Sequence, residues 1–291
     1  MYANKELLIQ LLHESNRSLN ELQINDVLIQ LDLARNGDEE AMLMVANIYK
    51  EINKFDGYLF WLQSAASRGN TEAQYLLANC YIDGEIMEED YDEAFKLYKK
   101  AAEKGHADAA NNLADMYFNG EGVEIDEEEA IKWFTFAAER NVPEAMFTLG
   151  IIYDQGIGVE EDEEIAFRYY LQAAELGDEE AQYRMGSIYL DGLLGKETDI
   201  EMAIEWFKKA AEVYHVDSLF NLGFIYENGI EVLRNGKLAL TYYKQASLLG
   251  DVQSKINIAR IYEKGIDVKK DLEKAKKWRQ RAERQMNHIE N

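Results

Sequence analysis

The chain has 291 residues, 47% hydrophobic and 30% charged, and its 55 Asp and Glu against 31 Lys and Arg give a net charge of −24. That is apolar enough for a buried core and excludes a disordered chain. The acidic balance argues against a nucleic-acid binder and against docking on an anionic membrane, and one Cys excludes a disulfide scaffold.

Residues 1–33 come first and read as two helices over 3–33, with a capping-box-like Ser18…Glu21 between them. Near the N-terminus the longest apolar stretch, Leu7 to Leu12, is broken by Gln10, and no small-residue cleavage pattern follows. No apolar run approaches the roughly 20 residues of a membrane helix. The expectation is a cytoplasmic protein without membrane contact.

From residue 34 onward a period takes over. Triplets of a small residue, an aliphatic residue and a Tyr lie four apart: Ala41/Val45/Tyr49, Ala73/Leu77/Tyr81, Ala109/Leu113/Tyr117 and Ala145/Leu149/Tyr153. They continue as Ala181/Met185/Tyr189, Ser218/Leu222/Tyr226 and Ser254/Ile258/Tyr262, and the steps between first members are 32, 36, 36, 36, 37 and 36. Spacing by four puts each triplet on one face of a helix, helix A. Ala or Gly always follows the middle member, small enough for a neighbouring helix to approach closely. Helix A then stops at Gly84, Gly120, Gly156, Gly192, Gly229 or Gly265.

A second helix, B, carries an Ala, aromatic residues three or four on, and usually paired small residues, as in Ala130/Trp133/Phe134/Ala137/Ala138. It ends at Gly69, Gly105, Gly177 or Gly250, with Asn141 once in the same place; Tyr214 there marks either an exit that is not left-handed or a local irregularity. One helix pair cannot bury both its faces, so the pairs stack. The organisation is a helical cap over 1–33, seven repeats over about 34–68, 69–104, 105–140, 141–176, 177–213, 214–249 and 250–284, and a tail over 285–291. About 16 helices are expected.

Ala145 to Val159 reads Ala-x3-Leu-Gly-x-Ile-Tyr-x2-Gly-x-Gly-Val and is followed by Ala166, Tyr169 and Ala173-Ala174. This pattern resembles the SEL-one-like repeat, a relative of the tetratricopeptide repeat, and the resemblance covers residues 34–284. It implies an all-α fold, an α/α solenoid wound as a right-handed superhelix, with helix A lining its concave side. It also implies a non-enzymatic adaptor for protein partners. The first repeat departs from the pattern by being four residues short and lacking the Gly-x-Gly turn. The last departs with Glu283 where the second paired Ala belongs, as solvent-facing end units would.

No constellation points to catalysis, a metal or a cofactor. The acidic runs Glu88–Asp90, Glu127–Glu129 and Glu160–Glu164 open helix B, where carboxylates favour the helix N-terminus; side by side they would also steer a basic partner. Asp115, Asn119, Gly120 and Asp126 imitate a calcium loop, but Tyr117 interrupts it. The four His are too far apart for a helical zinc pair. His106 and His215 share a slot with Asp38, Asp178 and Asp251 and read as caps. Cys80 and the four Trp read as core. No phosphate loop or nucleophile elbow appears.

A second face of helix A remains. Counting from the small residue, positions −1, +3, +6 and +10 form a mainly polar stripe, and the resemblance turns it toward the groove. The expected partner-binding residues are Asn79, Asn112, Asp115, Asn119, Thr148, Ile151, Gln155, Arg184, Asp191, Asn221, Phe224 and Asn228. Asn can both donate to and accept from a peptide backbone. Ile151 and Phe224 are apolar where the pattern is polar, which makes them candidate anchors. An ordinary solvated face is the plainer reading of the same stripe.

The expectation is a scaffold whose acidic groove holds a basic protein or peptide. The alternative is an antidote that occludes the active site of a basic toxin or nuclease. Residues 250–291 carry 11 basic and 7 acidic side chains, against 20 and 48 in the rest. The basic last helix therefore suits either its own C-terminal dipole in a monomer or a head-to-tail contact with another copy.

Overall fold

A computed structural model describes residues 2–15 and 21–289, and among these every regular element is an α-helix. The sixteen helices fall into two compact units, Met1–Val142 and Pro143–Asn291. The Ser18 arm of the expected capping box lies outside the described residues.

The first unit holds α1 (Lys5–Glu14), α2 (Glu21–Arg35), α3 (Glu39–Glu51), α4 (Phe55–Arg68), α5 (Thr71–Asp83), α6 (Tyr91–Glu103), α7 (Ala107–Asn119) and α8 (Glu127–Ala138). The second holds α9 (Pro143–Gln155), α10 (Glu163–Glu175), α11 (Glu179–Asp191), α12 (Ile200–Glu212), α13 (Val216–Asn228), α14 (Gly236–Leu248), α15 (Val252–Lys264) and α16 (Leu272–Ile289). From α3 the odd helices are helix A and the even ones helix B. Within each unit, helices pack chiefly on their neighbours in the chain, which makes an α/α solenoid. The last helix continues through Ile289, into the segment read as a tail.

The first two members of every triplet are buried, and the Tyr is buried or half-buried. Each large side chain so buried contributes about 1.5–3 kcal/mol. The small residue after the aliphatic one is a geometric requirement. A Cβ on Gly150, Gly186 or Gly223 would stand 2.6, 2.5 or 2.7 Å from the rings of Tyr170, Phe207 and Tyr243. The helix-B ring therefore lies directly on the helix-A backbone.

The loops from helix A to helix B close alike from α5 onward, whereas Lys54 before α4 makes no side-chain cap. The first residue before helix B caps it with its side chain: Asp90, Asp126, Asp162, Asp199 and Asn235 each accept a backbone N–H three residues on. The same residues donate their own N–H to the carbonyl of the triplet Tyr. Asp90 and Asp162 within their acidic runs, and Asp126 just before the run Glu127–Glu129, do the capping, and Glu88, Glu89, Glu127, Glu128, Glu160, Glu161, Glu163 and Glu164 stay exposed. Tyr214 has φ +66°, so the exit after α12 is left-handed after all, as at Asn141 with φ +62°.

The N-terminal helices bury Leu8, Leu12, Leu31 and Ala34 in the core of the first unit. The carbonyl of Tyr2 accepts from Tyr49 Oη at 2.9 Å and Trp61 Nε1 at 3.2 Å, which ties the chain start to the first repeat. Cys80 is buried with its sulfur 3.9 Å from Tyr58 Oη, and burial pushes the thiol up, as befits an inert core residue. Trp61 and Trp206 are buried, whereas Trp133 and Trp278 are only half-buried.

Candidate partner-binding surface

The stripe of helix A is built by the repeat itself: burying the triplet leaves −1, +3, +6 and +10 on the remaining face. Its −1 acids Glu72, Asp108, Glu144, Glu180 and Asp217 are all exposed. Two His head helices of this stripe. His106 Nδ1 accepts from Ala109 N at 3.2 Å and His215 Nδ1 from Ser218 N at 3.2 Å, so both are N-caps, as their slot predicts. They stack on Tyr75 and Tyr183 and turn Nε2 toward Glu72 and Glu180.

In the first unit the structure joins three of the expected residues. Tyr98 on α6 donates its hydroxyl to Asn79 Oδ1 at 2.5 Å, and its oxygen accepts from the Asn112 amide. Asn111 links Asn112 to Asp115, donating to both at 3.4 Å. The result is one polar chain from Asn79 to Asp115 through the buried Tyr98. Asn119 is exposed at the last turn of α7.

In the second unit Arg184 is committed within the chain. It donates to Asp154 Oδ2 at 2.6 Å, the oxygen that also accepts from Tyr170 Oη at 3.1 Å. The motif returns 73 residues later. Tyr243 Oη donates to Glu227 Oε2 at 2.9 Å, and Arg260 grips both oxygens of Glu227 at 2.9 and 2.7 Å. Glu227 is only 4% exposed. Burial and the neighbouring carboxylate push Tyr170 and Tyr243 well above the usual phenol range.

Each motif takes its acid from helix A, its Tyr from helix B and its Arg from the next helix A. Asp154, Glu227, Tyr170, Tyr243 and Arg260 were not among the expected contact residues. Their signal is readable in the sequence. Where helix B has Tyr170 or Tyr243, position +9 is acidic; where it has Phe134 or Phe207, position +9 is Phe118 or Leu190. At +3 of the following repeat, Asn112, Arg184 and Asn257 reach the oxygens of Tyr98, Tyr170 and Tyr243.

The other expected residues are not drawn into such ties. Thr148, Ile151 and Asn221 are half-buried, and Gln155 and Asp191 are exposed. Phe224 is 40% exposed, and Asn228 donates to its carbonyl at 2.8 Å. Among the described residues, no cluster of three or more His, Cys, Asp or Glu is arranged to hold a metal ion, and no helix is long and apolar enough to cross a membrane.

Seven segments, 59–70, 71–106, 107–142, 143–178, 179–214, 216–251 and 252–285, match the model of the Sel1 repeat. The chain is similar to c5321, a protective antigen of uropathogenic Escherichia coli strains displaying an SLR fold, with 30% identity and a TM-score of 0.84. That match covers 89% of this chain and 56% of the antigen, so this chain spans little more than half of the antigen's length. A Sel1 repeat protein from Oxalobacter formigenes is 32% identical, with a TM-score of 0.73 over 83% of this chain and 99% of the other. A looser match is immunity protein Pa5087 from Pseudomonas aeruginosa, at 21% identity and a TM-score of 0.45, over 76% of this chain and 82% of the other. No curated protein matches the sequence. With repeats matched from residue 59 to residue 285, the chain belongs to the Sel1 repeat family.

Proposed function

We propose that the chain is a non-enzymatic scaffold whose helix-A faces hold a protein or peptide partner of basic character. A Sel1 repeat array is suited to protein–protein interaction. The observation that carries the reading is the composition of that face: exposed −1 acids, recurring amides, and Phe224 exposed among polar neighbours. An exposed aromatic ringed by polar groups is what an interface anchor looks like before its partner arrives. The surrounding carboxylates raise the encounter rate of a basic partner and disfavour acidic ones.

Affinity capture from the native cell, at low and high salt, tests this. The captured partner should be basic, and its association rate should fall as salt shortens the Debye length from about 10 Å toward 3 Å. Phe224→Ala should weaken the complex roughly 5- to 30-fold, the range of an interface anchor. A salt-insensitive rate together with an unaffected Phe224→Ala complex rejects the reading. Inhibition of a basic toxin or nuclease by the chain would make it an antidote.

A further inference from the structure

Three carboxylates of the helix-A faces are withdrawn from water, and two of them are matched from within the chain. Asp154 has Tyr170 and Arg184; Glu227 has Tyr243 and Arg260. The third, Asp115, stands at position +6 of its repeat, where Arg260 stands in the last one. Its one hydrogen bond is the 3.4 Å contact from Asn111, and among the described residues no Lys, Arg or His pairs with it. The charged group facing it is Glu121, of its own sign. Tyr98 of the packed α6 is joined to it through Asn112 and Asn111 and is held neutral by burial.

The network around Asp115 is also short of donors. The Nδ2 of Asn111 serves both Asn112 and Asp115, and its Oδ1 is buried without a partner. A carboxylate with one long hydrogen bond and no cation beside it calls for a group with several N–H donors and a positive charge. A guanidinium or an ammonium has both.

We propose that Asp115 receives one Arg or Lys side chain of the docked partner, so that the ligand supplies here the cation that Arg184 and Arg260 supply elsewhere from within the chain. The inference rests on the basic-partner reading and adds the contact that reads the charge. Asp115 suits the role energetically. Burial and Glu121 push its carboxyl up to about 6, so at neutral pH it is mostly charged and poorly compensated. A cation set against it relieves that imbalance.

Hexa-arginine amide is the probe, titrated into the full chain and into the Asp115→Asn and Glu139→Gln variants. Glu139 is exposed at the end of α8, outside the stripe. Binding to the native chain should weaken about tenfold from pH 7.5 to 5, as the ionised fraction of a group titrating near 6 falls. Asp115→Asn should bind about tenfold more weakly at pH 7.5 and lose most of that pH dependence, whereas Glu139→Gln should stay within about twofold. In the native chain, the carboxyl carbon resonance of Asp115 should titrate near 6 alone and lower with the peptide present. Equal binding by the native chain and Asp115→Asn, with an unmoved Asp115 titration, overturns the assignment and leaves the acidic-face reading standing. No binding by the native chain at all overturns both.

Discussion

Removing the guanidinium of Arg260 tests how neighbouring repeats are held together. Glu227 is 4% exposed with Arg260 in place, and in Arg260→Ala it keeps only the Tyr243 hydroxyl at 2.9 Å. Breaking a buried ion pair from one side typically costs 3–5 kcal/mol, because a charge is left uncompensated. The Arg260 side chain is itself 39% exposed, so water screens the pair and about 2–3 kcal/mol is the better figure. The chain carries its own apolar version of the site, in which Leu190 replaces the acid, Phe207 the Tyr and Phe224 the Arg. The triple variant Glu227→Leu, Tyr243→Phe, Arg260→Phe copies it and should cost under about 1.5 kcal/mol, as volume-conserving exchanges do. Repeat arrays unfold in parts, so the assay is native-state hydrogen exchange at the amides of α13 to α15, which reports local opening. If Arg260→Ala opens these helices no more readily than the triple variant, the charge argument is wrong.

Other expected outcomes follow from single sites. The Asp115 carboxyl is raised from 3.8 to about 6, so the folded chain holds that proton more tightly than the unfolded one. Its contribution is full below about pH 4 and is lost as pH rises through 6; Asp115→Asn should therefore stabilise the chain at pH 7.5 by up to about 3 kcal/mol and hardly at pH 4. Urea denaturation at the two pH values checks this. Gly186→Ala should destabilise by about 1–3 kcal/mol despite the better helix propensity of Ala, since the new Cβ meets the Phe207 ring at 2.5 Å; thermal unfolding reads it. His106→Ala removes the α7 cap and its stack on Tyr75. It should cost about 1–2 kcal/mol, and exchange at the Ala109 amide should quicken first.

The fold was legible because a 36-residue period states one structural rule seven times. A small residue recurs where a ring must lie on a backbone, and Gly recurs where the chain must turn left-handed. Tyr214 is the exception that spacing left undecided: its slot called for the left-handed exit, its side chain argued against one, and the slot prevailed. The stripe was legible as a face but not as a set of free groups. Asn79, Asn112 and Arg184 read as contacts because helix A was taken alone. Their partners lie elsewhere in the chain: Tyr98 on helix B, and for Arg184 an acid thirty residues earlier. Periodicity within one helix carries no information about such ties. An acid at +9 does carry it for Tyr170 and Tyr243, whereas Tyr98 has Ile82 at +9 and its tie to Asn79 leaves no such signal.

The most direct measurement is a hydrogen-exchange footprint of the chain with its captured basic partner. Slowed exchange should concentrate on α7 and α13, which carry Asn112 to Asn119 and Asn221 to Asn228. Protection confined to the even-numbered helices, with α7 and α13 unchanged, would place the partner on the other side of the repeats and contradict the account.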